Sequence, residues 1–98
     1  MTSTSVIAIG HYELRCTCPA CPEQYDVYRD SVQVAYLRLR HGRFRADVPQ
    51  CGGDIVHTST PKGDGRFEGD ERDSHLHAAI AAIDRYYTAV ATATPNNT

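Results

Sequence analysis

Val32-Gln-Val-Ala-Tyr-Leu-Arg-Leu-Arg40-His41-Gly42-Arg43-Phe-Arg-Ala-Asp-Val48 is the stretch that decides the fold. Two runs rich in β-branched and aromatic residues flank a central His-Gly, and such runs suit a pleated, half-buried surface. His41-Gly42 reads as a two-residue hairpin loop. Such loops need positive φ, which Gly adopts freely and His tolerates better than most residues. With that pair in the loop, Arg40 opposes Arg43, Leu39 opposes Phe44, Arg38 opposes Arg45 and Leu37 opposes Ala46. Residues directly opposite one another share a sheet face. Leu37, Leu39, Phe44 and Ala46 therefore point at a core, and Arg38, Arg40, Arg43 and Arg45 all point away from it.

Outward from the hairpin, Gln24 to Tyr28 alternates as a preceding strand, and Arg29-Asp30-Ser31 reads as the turn between them. Pro49 to Gly53 breaks the pattern, Asp54 to Thr58 resumes it, and Thr60 to Gly69 is a Gly-rich loop. Val6 to Leu14 reads as a short first strand. Cys16 to Pro22 reads as a Cys/Pro turn, because Pro19 and Pro22 exclude regular helix. Further on, Leu76, Ala79, Ile80, Ile83, Tyr87 and Val90 recur at helical spacing and predict a helix from Glu71 to about Val90. Asp70 is the candidate N-cap, with Glu71 and Asp73 favoured by the helix dipole. The expected fold is α+β. It comprises a small antiparallel sheet of about four strands, with its hairpin core at 24–48, and one long C-terminal helix across one face. The 98 residues make one domain, with polar tails at 1–5 and 93–98 expected to be disordered.

The net charge is −2, with 41% apolar and 22% charged residues, so the chain as a whole exerts no long-range pull on polyanions. Its charge is nevertheless lopsided. Arginines concentrate between Arg29 and Arg45, and acids concentrate between Asp64 and Asp73. The N-terminal apolar run, Val6 to Ile9, is too short for a membrane span or a signal peptide. The chain therefore reads as cytoplasmic, with no membrane partner. In that setting four cysteines favour thiols or a metal over disulfides.

Four candidate features follow. The first is the arginine face. Like charges directly opposed in a sheet cost up to about 1 kcal/mol per pair, and phosphates would offset that cost through bidentate guanidinium contacts. Tyr36 lies one period before Arg38 and would stack on a base. The plainer alternative is that the Arg stems cover a wet sheet and pair with acids such as Asp47. The second feature is Cys16, Cys18 and Cys21 in C-x-C-x-x-C, with Cys51 standing apart. Together they are a candidate structural zinc site, with free thiols as the alternative.

The third feature is the loop from Asp64 to Glu71, which resembles the second half of an EF-hand, with Gly65 at the turn and Glu71 as the final acid. The first half fails, because Lys62 falls on a ligand position. The same acids, Asp64, Glu68, Asp70, Glu71 and Asp73, would alternatively engage a basic protein partner. The fourth feature is an absence. No nucleophile elbow, P-loop or dinucleotide fingerprint is present, and His75 and His77 lack metalloprotease spacing. These absences point to a binding protein rather than an enzyme, with a small enzyme or nucleotide-handling protein using Cys or His chemistry as the least favoured alternative.

Cys21 to Tyr28, followed by Tyr36 to Gly42, resembles small accessory proteins of phages and mobile elements. The order of three strands and then a helix is similar to the sheet-reading DNA-binding domains of integrase arms. The resemblance implies a nucleic-acid or nucleoprotein partner, one concrete form being an inhibitor of a nucleic-acid-directed host defence such as CRISPR. An exposed edge strand would also allow a homodimer.

Overall fold

The structure, a computed structural model, describes residues 6–20 and 22–93. Six strands run in chain order: β1 (Val6–Ile9), β2 (Tyr12–Pro19), β3 (Glu23–Arg29), β4 (Val32–Arg40), β5 (Arg43–Val48) and β6 (Asp54–Ser59), followed by helix α1 (Glu71–Ala93). Every strand pairs antiparallel with its neighbours in sequence, giving a single sheet ordered β1-β2-β3-β4-β5-β6. The expectation of about four strands is corrected to six. The segment at 6–14 splits at the Gly10-His11 turn into β1 and the start of β2. The Cys16–Pro22 segment is not simply a turn, because β2 runs through Cys16 and Cys18 to Pro19. A proline is tolerated there because it closes the strand, where the chain is about to leave the ladder. The tails at 1–5 and 94–98, and Cys21, lie outside the described residues.

The central hairpin has the register read from its alternation. Arg40 opposes Arg43, Leu39 opposes Phe44, Arg38 opposes Arg45 and Leu37 opposes Ala46. His41 and Gly42 have φ of 55° and 71°, and Asp30 and Ser31 in the β3–β4 turn have φ of 53° and 68°. Both turns thus hold two consecutive left-handed residues, the backbone whose twist matches the strands it joins.

One face of the sheet packs against α1. Leu14, Val27, Leu37, Leu39, Phe44 and Ala46 are fully buried there against Leu76, Ala79, Ile80 and Ile83 of the helix. The stripe ends before Val90, which is 48% exposed. Phe67 pins the 60–70 loop to this core, its ring 5.1 Å edge-on from Phe44 and 5.4 Å from the His75 ring stacked on it. His57 also faces inward, with its Nε2 buried and without a hydrogen-bond partner. Burial, with the nearby charge of His75 and Arg85, pushes His57 down and favours its neutral form.

The helix start is organised by Glu71 rather than by Asp70. One Glu71 carboxylate oxygen accepts the Lys62 N–H at 2.8 Å, and the other accepts those of Gly63 at 2.9 Å and Glu68 at 2.7 Å. The loop amides that an anion would otherwise occupy are therefore filled by the chain's own carboxylate. Those contacts hold Glu71 below the usual carboxylate range. Asp70 is exposed and makes no side-chain hydrogen bond among the described residues. Gly63 is required for space, since a Cβ there would lie 1.7 Å from the Arg66 carbonyl oxygen.

Candidate nucleic-acid interface and a charged cavity

The sheet face away from α1 can be read in cross-strand rows. Arg40 and Arg43 form the row at the hairpin tip. Next come Cys18, Gln24, Arg38, Arg45 and Thr58, one from each strand β2 to β6. The third row holds Arg15, Asp26, Tyr36, Asp47 and Ile55. Glu13 and Tyr28 lie beyond. The face thus carries five arginines and three carboxylates, a net charge of +2 on a chain whose total is −2. Positive charge concentrates at the tip.

The four hairpin arginines share this face but differ in freedom. Arg40 and Arg43 are exposed and Arg38 is half-buried, and none of these three makes an ion pair among the described residues. Arg45 is engaged: its Nε lies 2.9 Å from Asp47 Oδ1, held by charge rather than by a well-directed hydrogen bond. Asp47 is buried, and its other oxygen accepts the Gly52 N–H at 3.0 Å. Arg15, which the sequence did not mark, joins the face with its guanidinium 4.0 Å over the Tyr28 ring and an ion pair to Glu13 at 3.0 Å.

Tyr36 is on the expected face but is only 8% exposed, and its hydroxyl donates to the Gln24 side chain. Burial pushes its phenol up. So little of the ring is accessible that, in this arrangement, Tyr36 offers a base almost no stacking surface. Among aromatic rings on this face, the half-buried one is Tyr28.

The cysteines do not converge among the described residues. Cys16 opposes Tyr25 and packs toward the helix side, whereas Cys18 opposes Gln24 on the other face. The bulge at Thr17 produces this switch, since one unpaired residue flips the side chains that follow. Cys18 Sγ donates to the Ala20 carbonyl at 3.2 Å. Cys51 is exposed in the β5–β6 turn, three strand spacings from β2, or roughly 14 Å. No group of three or more His, Cys, Asp or Glu side chains is placed to hold a metal among the described residues.

A second site lies on the helix side of the same sheet end. Glu23 opens β3 and is 1% exposed. Its carboxylate takes a fork from Arg72, with Nε at 2.7 Å and Nη2 at 3.1 Å, and it also accepts the Tyr25 hydroxyl and the Phe67 N–H at 3.0 Å. The Glu23 N–H in turn donates to the Gly65 carbonyl at 2.8 Å. Burial alone would raise the Glu23 carboxyl, but Arg72, Tyr25 and the Phe67 amide outweigh it and leave it below the usual range. Glu23 holds the Arg72 guanidinium above its ordinary value. Tyr25 is pushed up by burial and by Glu23. This cluster borders a cavity of about 460 Å³, which Cys16 and Arg66 also line. Burial, then the charge of Glu23, pushes the Cys16 thiol up, so it is a poor nucleophile.

No helix among the described residues is long and apolar enough to cross a membrane. No family model matches the chain, and it matches no curated protein and no solved structure.

Proposed function

We propose that the chain is a non-enzymatic binding module that engages nucleic acid, free or within a nucleoprotein complex, through the hairpin face of Arg38, Arg40, Arg43 and Arg45. The observation that carries this reading is the pairing of Arg40 with Arg43 and of Arg38 with Arg45 on one uncovered face, with three of the four in no ion pair among the described residues. Opposed like charges weaken a sheet, and a row of phosphates restores the balance. Arg supplies planar two-point contacts to phosphate oxygens, so binding would read the backbone rather than the base sequence.

Fluorescence anisotropy with labelled single- and double-stranded oligonucleotides of mixed sequence tests this. Four phosphate contacts give a slope of log affinity against log salt near −3.6 for duplex, so affinity falls about a hundredfold between 50 and 200 mM salt. The triple variant R38E/R40E/R43E abolishes binding while its circular dichroism stays that of the parent. Arg45 is left intact there because Asp47, its buried partner, would otherwise be stranded. Salt-independent binding, or binding unchanged in the triple variant, rejects the reading.

A further inference from the structure

The cavity beside Glu23 and Arg72 is not used by the nucleic-acid reading, and its construction is that of a ligand site. Its volume of about 460 Å³ lies within the range of small-molecule pockets. Ile7, Pro19 and Ala20 give it apolar walls. Among the described residues, its charged groups are Glu23, Arg72 and Arg66, a net of one positive charge. The Cys16 thiol and the Tyr25 phenol, both with raised pKa, stay neutral there.

Arg72 is held rigidly. Two of its nitrogens are bound to a carboxylate that is itself fixed by Tyr25 and by a backbone amide, so the guanidinium is oriented before anything arrives. Preorganisation of this kind lowers the entropic cost of binding. Arg66 is exposed and makes no ion pair among the described residues, so its guanidinium is free to contact a ligand, although Asp64 and Glu68 line the adjoining hollow with it.

We propose that this cavity binds a small organic carboxylate with an apolar body. The carboxylate sits between Arg66 and the edge of Arg72 outside the Glu23 pair, and the body lies against Ile7, Pro19, Ala20 and Cys16. A single negative charge balances the single excess positive charge. A planar carboxylate matches the guanidinium fork, and the apolar walls favour a ligand with a hydrocarbon portion over a bare ion. Glu23 is a positioning residue here, since it acts through Arg72.

The test is a titration of the ¹⁵N-labelled full chain with benzoate and with hexanoate at constant ionic strength, followed by two-dimensional NMR. Benzyl alcohol and inorganic phosphate serve as the charge-free and body-free probes. Saturable shifts are expected at the amides of Ile7, Cys16 and Ala20 and at the Arg72 Nε–H signal for at least one carboxylate, with neither control matching it. Arg66→Ala, an exposed change that leaves the buried pair intact, weakens carboxylate binding about fivefold or more. Cys16→Phe, which fills the cavity, removes it.

Shifts that fail to saturate in the millimolar range overturn the proposal. So does phosphate binding as tightly as benzoate, or an Arg66→Ala affinity equal to the parent's. The R38E/R40E/R43E variant keeps carboxylate binding, so this proposal and the nucleic-acid reading stand or fall separately.

Discussion

Glu23 is the residue on which most of the tertiary arrangement converges. It binds the β3 start to the 60–70 loop through Gly65 and Phe67, and to the helix through Arg72. Taking a carboxylate out of water is expensive, and four donors on its two oxygens are what offset the cost. Glu23→Gln removes the charge and leaves Arg72 facing a neutral amide. Breaking a buried pair costs about 3–5 kcal/mol, and the low end applies because the Arg72 side chain is 32% exposed.

The pH dependence follows from the depressed carboxyl of folded Glu23. Its stabilisation is fully present above the carboxyl's unfolded value of 4.5 and is lost as pH falls through the lower folded value. Urea unfolding of both proteins is therefore expected to show the parent about 3 kcal/mol more stable near neutral pH, with the gap narrowing toward pH 3 or so. A gap that stays constant across that range would mean the charge of Glu23 is not what stabilises the fold.

At the scale of the element, the β4–β5 hairpin sets two demands against each other. Its apolar face is as good a core surface as the sheet has, while its outer face opposes Arg40 to Arg43 and Arg38 to Arg45. Arg43→Thr removes one like-charged pair and adds a β-branched residue at an exposed position. It should raise stability by about 0.5 kcal/mol and reduce the salt slope of oligonucleotide binding by about one. Chemical denaturation and anisotropy on the same variant check both. A stability gain with unchanged binding would reduce the arginine face to a solvated surface.

The register of this hairpin was legible because strict alternation meets a loop that only one pairing satisfies, at His41-Gly42. The long helix was legible from Leu76 through Ile83 for the same reason, a single period sustained over several turns. The pairing of β1 with β2 was hidden because the Gly10-His11 turn was read through as one strand, and the far end of β2 was hidden because Pro19 and Pro22 read as breakers and the bulge at Thr17 interrupts the alternation on which a strand is recognised. The role of Glu23 was hidden more deeply. A lone acid beside a proline reads as surface, and the partners that bury it, Phe67 and Arg72, lie 44 and 49 positions away. Tyr36 was placed on the right face by its period, but period says nothing of how exposed a ring will be.

For the whole molecule, the proposed function raises the question of how a chain of net charge −2 would hold a polyanion. The answer lies in where the charges sit relative to the screening length. Asp70 and Asp73 are exposed at the start of α1, on the side of the sheet opposite the arginine rows. The sheet and its side chains put roughly 10 Å or more between them. The Debye length is about 8 Å at physiological ionic strength and about 30 Å at 0.01 M. At physiological salt the arginine face would therefore act on a phosphate backbone almost as if Asp70 and Asp73 were absent, while at low salt both sets of charges would be felt together.

Reversing the two acids, D70K/D73K, should change oligonucleotide affinity by less than about twofold at 0.15 M salt and raise it severalfold at 0.01 M. Anisotropy titrations at both ionic strengths measure this. Loss of partner binding in D70K/D73K at physiological salt, with R38E/R40E/R43E unaffected, would move the working surface to the acidic helix start and a basic protein partner. Asp70 and Asp73 lie on the helix side of the sheet and the arginine rows on the other, while Asp64, which lines a hollow with Arg40, is left unchanged, so each variant tests one surface.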